Sequence, residues 1–177
     1  MDKSERKLAL EIARSAAELW VRERKKLKPK KVPDSFRDNR GCFVTLTEGG
    51  ELRGCIGFPE PVMTLVEALV SAAIEAKQDP RFPELDVAEL NKIHIEVSVL
   101  TQPEPIEPKD VKVGRNGLII RRGFRSGLLL PQVATEYGWT REQFLEHTCI
   151  KAWLPPAAWK EKGAELLAFQ AEVFGED

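Results

Sequence analysis

The sequence predicts an α+β fold, an antiparallel sheet flanked by helices. Three observations carry this: a helical period at the start of the chain, short apolar runs joined by tight turns, and a helical stretch between those runs. Turns this short cannot house a crossover, so neighbouring strands run antiparallel. The 177 residues allow one domain with a real core, or two small lobes. A 42% hydrophobic and 31% charged composition belongs to a soluble globular chain.

Residues 4–26 form the first predicted helix, with Leu8, Ile12, Ala16, Leu19 and Trp20 on one stripe. Pro29 and Pro33 close it. Phe43–Thr47 reads as a strand, Glu48-Gly49-Gly50-Glu51 as a turn, and Leu52–Gly57 as the returning hairpin arm. Val62–Lys77 is apolar on most sides and predicts a largely buried helix. Asp79-Pro80-Arg81-Phe82-Pro83 then makes a stiff loop, with Phe82 expected in the core.

Ile93–Leu100 alternates cleanly, with Ile93, Ile95, Val97 and Val99 on one face and His94, Glu96 and Ser98 on the other. The Pro-rich stretch 102–108 is an extended connector and a plausible lobe boundary. Beyond it, Val111–Val113, Leu118–Ile120 and Leu128–Leu130 predict short strands separated by glycine-rich turns. Thr140 with Gln143 marks a capping box for a helix to about Ala152. Ala157–Phe174 predicts a final amphipathic helix.

The formal net charge is −1, yet residues 1–31 hold 11 Lys/Arg against 5 Asp/Glu. Such a basic run can meet nucleic acid or an acidic partner, or can simply be a solvated helix end. No apolar run reaches the roughly 18 residues of a membrane helix. Met1–Arg6 is charged and precedes no apolar h-region, so no secretory leader is expected. Cys42, Cys55 and Cys149 form neither an even set nor a CxxC pair, which fits a reducing cytoplasm better than a disulfide framework.

The run Leu52-Arg53-Gly54-Cys55-Ile56-Gly57 holds the candidate chemistry. On a regular strand Arg53 and Cys55 point the same way, about 7 Å apart, with Leu52 and Ile56 opposite. A cation beside a thiol favours the thiolate, and flanking glycines let a backbone or ligand approach the sulfur. A buried Cys55 acting as a small hydrophobe is the competing reading. Asp79 and Arg81 pair an acid with an anion-binding cation on a rigid loop, or else build a turn.

His94 and Glu96 share a strand face and form a candidate acid–base pair, while His147 sits on a helix face with Gln143 and Lys151. Arg115, Arg121, Arg122 and Arg125 surround Phe124 in the glycine-rich turns, a pattern suited to phosphate or single-stranded nucleic acid. No metal-ligand spacing is present, and no metal site is expected.

Phe43-Val44-Thr45-Leu46 followed by Leu52–Gly57 resembles the signature of the AMMECR domain family, the "AMME chromosomal region gene 1" proteins. Further matches follow in order at Asp79–Phe82, Ile95–Leu100, Gly117–Ile120, Gly127–Val133 and Cys149–Ala152. The resemblance spans nearly the whole chain. It departs at Trp153, where the family pattern has glycine, and a tryptophan there is expected to crowd its surroundings.

The resemblance implies a larger lobe holding both termini, a smaller lobe and a cleft between them, all within one domain over 1–177. It implies a cytosolic protein, with a Memo-type or radical-SAM protein as partner, and names no reaction and no cofactor. Carried over by position, its site residues are Arg53, Gly54, Cys55, Gly57, Asp79, Arg81, Glu96, Gln132 and Lys151.

Two functions are open. One is a small-molecule enzyme: Cys55 is nucleophile or redox centre, Arg53 holds the thiolate or an anionic substrate, and Asp79, Glu96 or Lys151 moves protons. Arg81, Gly54, Gly57 and Gln132 then line the ligand. The other is a non-catalytic module that binds a protein partner or nucleic acid through the basic N-terminal run and the arginine-bearing turns. A net charge near zero counts against strong nucleic-acid affinity but leaves room for a local patch.

Overall fold

The computed structural model describes residues 1–176, which form an α+β fold in two compact units. The first comprises 1–100 with 172–176, and the second the intervening segment.

The first unit opens with α1 (Lys3–Glu23), started by a capping box between Asp2 and Glu5. Strands β1 (Cys42–Glu48) and β2 (Glu51–Phe58) form a hairpin, α2 (Leu65–Ala76) follows, and β3 (Ile93–Leu100) pairs with β1. With β8 (Ala171–Gly175) the sheet order is β2-β1-β3-β8. Gly49 and Gly50 both take positive φ, as a two-residue hairpin turn matched to strand twist requires.

The helices pack on one face of this sheet, burying Val44, Leu46, Ile95, Val97 and Val99. The buried stripe of α1 is Ala9, Ile12, Ala13, Ala16 and Ala17, one step round from the larger residues of the expected stripe. It meets α2, whose Ala68, Ala72, Ala73 and Ala76 are equally buried. Small residues let two helix backbones approach closely, while Leu8 and Trp20 cover the rim.

The loop from Lys77 to Lys92 is anchored by Leu85 and Leu90, whereas Phe82 is only half-buried. Lys77 is fully buried: its Nζ donates to Glu84 at 2.8 Å and lies over the Trp20 ring. Arg24 at the end of α1 also grips Glu84.

The second unit contains β4 (Glu104–Pro105), β5 (Gly117–Arg122), β6 (Arg125–Leu129), α3 (Pro131–Glu136), α4 (Arg141–Lys151) and β7 (Glu165–Phe169), with sheet order β4-β7-β5-β6. Its core gathers Val111, Leu118, Phe144 and Leu145. The Thr140–Gln143 capping box starts α4 as its sequence indicates. Among the described residues no helix is long and apolar enough to cross a membrane.

Three segments depart from expectation. Val111–Val113 is not a strand but leads into a turn, closed where the Asn116 side chain accepts from the Lys112 N–H at 2.8 Å. Pro131–Glu136 forms an unanticipated helix. The expected final helix is instead a short 3-10 turn (Pro156–Lys160) followed by β7 and β8. Its Ala, Leu and Glu favour helix locally, but β7 is sandwiched between β4 and β5 and buries Leu167 and Phe169, and pairing on both sides outweighs weak propensity.

Candidate functional site

The hairpin ladder contains one extra residue. From the turn, Glu48 pairs with Glu51 and Thr47 with Leu52; then the register shifts so that Leu46 faces Gly54 and Thr45 faces Cys55. Arg53 is the residue the ladder skips. Were Arg53 instead paired with Leu46 in regular register, Cys55 would oppose Val44, whose side chain lies in the core, and a one-residue slip exchanges the faces of a strand. The bulge therefore turns the thiol to the face away from the helices, where it is half-buried.

Arg53 is re-aimed by the same bulge. Its guanidinium makes two bonds to Glu89, at 2.7 and 3.1 Å, and a third to the Pro83 carbonyl at 2.8 Å. Leu52, not Arg53, shares the face of Cys55. The cation tied to Cys55 is Arg81, because Asp79 Oδ2 accepts from both the Cys55 N–H and Arg81 Nη2. Its own pKa is raised, first by the hydrogen bond to Asp79 and to a lesser extent by Cys55.

Asp79 holds these parts together. It is 2% exposed, and its carboxylate accepts from the Cys55 N–H (3.0 Å), the Arg81 N–H (3.1 Å), Arg81 Nε (3.0 Å) and Arg81 Nη2 (2.7 Å). The Arg81 guanidinium keeps Asp79 well below the usual carboxylate range. An anion so thoroughly bonded is an anchor rather than a proton carrier. The Cys55 N–H it takes points off the edge of the sheet, so Asp79 also covers an edge donor that would otherwise seek another strand.

That outward N–H makes Thr45 and Cys55 a non-hydrogen-bonded pair, the kind in which opposing side chains come closest. Accordingly the Thr45 hydroxyl donates to Cys55 Sγ at 3.3 Å. Thr45 pairs on its other side with Glu96, so Cys55, Thr45 and the exposed Glu96 form one row across three strands. His94 lies one position along, opposite Thr47, with its Nδ1 buried and unpartnered.

The glycines beside the sulfur serve packing. A Cβ at Gly54 would stand 2.1 Å from the Ala76 carbonyl oxygen, so the end of α2 rests directly on the strand. A Cβ at Gly57 would meet the Phe43 ring at 2.4 Å, because the ring of the cross-strand partner covers the glycine.

Gln132 on α3 and Lys151 at the end of α4 are exposed residues of the second unit. Trp153 crowds nothing: it is 86% exposed. The other thiols are sealed, and burial pushes Cys42 up to about 12 and raises Cys149 as well. Among the described residues no group of three or more His, Cys, Asp or Glu could hold a metal ion.

Thr45 and Glu89 are the residues that sequence reasoning missed. The alternation of Phe43–Thr47 does put Thr45 off the core face, but only the bulge reveals that it meets the thiol.

The AMMECR1 family model matches residues 10–174. A protein of Methanothermobacter thermautotrophicus is 50% identical over the whole chain and 97% of its own length. The protein MJ0810 of Methanocaldococcus jannaschii is 48% identical over 95% of this chain and 88% of its own. The crystal structure of the uncharacterized protein PH0010 from Pyrococcus horikoshii is similar with a TM-score of 0.85 and 43% identity, covering 100% of this chain and 94% of that one. The chain belongs to the AMMECR1 family.

Proposed function

We propose that this protein is a small-molecule enzyme in which Cys55 is the nucleophile and Arg81 binds an anionic group of the substrate. The observation that carries the reading is the hydrogen bond from the Thr45 hydroxyl to the half-buried Cys55 Sγ, while both other thiols are buried. Thr45 and the Asp79–Arg81 pair thus fix the position of the one thiol that is not buried, which is what a nucleophile needs.

Arg81 suits the anchoring role. Its side chain is 59% exposed although Asp79 orients it, so part of the guanidinium faces outward. Arg53 is given to Glu89 and the Pro83 carbonyl and serves the loop instead. A substrate lying over Thr45 would have Cys55 at one end and the Glu96 carboxylate at the other, roughly 10 Å apart across two strand spacings. Glu96 is then the group positioned to accept a proton.

Paired alkylating agents test this. Iodoacetate carries the anion that Arg81 would hold, whereas iodoacetamide does not. The expected result is a rate ratio at Cys55 that favours iodoacetate relative to free glutathione, and that falls to the glutathione ratio in Arg81→Gln. A ratio at Cys55 equal to that of glutathione in the wild-type protein would remove the anchoring role.

A further inference from the structure

We propose that the tip of the β5–β6 hairpin, with the C-terminal end of α4, binds single-stranded nucleic acid. Both elements belong to the second unit. Phe124 at the hairpin tip is 99% exposed, and Trp153 just past α4 is 86% exposed. A groove of about 310 Å³ is lined by Arg122, Phe124, Arg125, Leu154 and Pro155.

The two aromatics stand on one frame. An Arg125 guanidinium N–H donates to the Trp153 carbonyl and ties the hairpin to the helix end. That end is itself locked, since Trp153 N–H reaches the Ile150 carbonyl at 2.9 Å and Leu154 N–H the Cys149 carbonyl at 3.0 Å. This double closure requires the residue between them to be left-handed, and Trp153 has φ 57°. Glycine fills such a position at least cost. A tryptophan held there with its ring in solvent does nothing for the fold that glycine would not do better.

The chemistry of the patch selects the ligand. Exposed aromatic faces stack bases of any sequence, and guanidiniums beside them take phosphates. Arg122 pairs with Glu161, but both side chains are well exposed, and such pairs are weak enough to exchange for phosphate. Arg125 uses one N–H on the carbonyl, leaving most of its donor fork for a ligand. The two exposed aromatics stand on separate elements, and the groove beside them carries Arg122 and Arg125 along with Leu154 and Pro155. A protein interface core or a bilayer anchor would need a continuous apolar patch instead.

The test is fluorescence anisotropy of a short labelled oligouridylate and oligothymidylate against the full chain, with duplex as control and salt varied. Saturable binding is expected to prefer single strands over duplex. With two phosphate contacts, log K should fall against log salt with a slope of about −1.4. Trp153→Gly and Phe124→Ser should each weaken binding about tenfold. Neither change touches the core, and a melting temperature that does not fall in either variant would confirm that the loss is one of contact. Absence of binding at low salt overturns the proposal, as does binding that survives the double variant. Cosedimentation with phosphatidylserine vesicles in the absence of any oligonucleotide binding would assign the patch to membranes and also overturn it.

Discussion

Asp79 accepts from four N–H groups while almost fully buried, so its removal strands the Cys55 edge donor and frees Arg81. Asp79→Ala is expected to cost about 2 kcal/mol in urea denaturation, the range for losing a buried charged acceptor. A loss within the error of the measurement would contradict the anchoring role. At this scale the sequence was partly legible. It singled out Cys55 together with Arg53, and separately Asp79 with Arg81 as an acid–cation pair or a turn, and only the family resemblance put all four in one set. It could not show that Arg53 turns away or that Thr45 meets the sulfur. Both depend on a single extra residue in the ladder, and one step of register exchanges the faces of a strand.

Two elements rest on opposite uses of glycine. At Gly54 the strand touches the end of α2 so closely that an added methyl would sit 2.1 Å from a carbonyl oxygen, which no rotamer can relieve. Gly54→Ala should therefore destabilise the first unit by about 3 kcal/mol or more, at the upper end for overpacking, as read from the denaturation midpoint. At Trp153 the reverse holds. A left-handed φ costs a non-glycine residue about 1–2 kcal/mol, offset in part by the extra freedom of an unfolded glycine. Trp153→Gly should thus stabilise by about 0.5–1 kcal/mol, raising the melting temperature by a degree or more. A lower melting temperature would mean that the indole makes a contact worth more than the strain. Element identity was legible wherever capping residues or clean alternation marked it, as at Thr140 and Ile93–Leu100. It was not legible at β7, where the local composition is that of a helix and only the flanking strands decide.

The whole chain ties its charges down most firmly in the first unit. Arg81 holds Asp79 below its ordinary range, Arg24 and Lys77 push Glu84 down to about 2, and Arg53 lowers Glu89. A carboxylate with a depressed folded pKa stabilises at pH above its unfolded value of roughly 4 and loses that contribution as pH falls through the folded value. Hydrogen-exchange protection of the first unit should therefore decline steadily from about pH 5 towards pH 2. A flat profile through that range would contradict the network.

The bulge presents Cys55, and no other thiol, for reaction. Alkylation of the folded protein with limiting iodoacetamide, followed by peptide mapping of all three cysteines, tests it most directly. Cys55 should react at least about tenfold faster than Cys42 or Cys149, and Thr45→Val should slow it without unfolding the chain. Equal protection of all three cysteines, or a rate at Cys55 indifferent to Thr45, would contradict it.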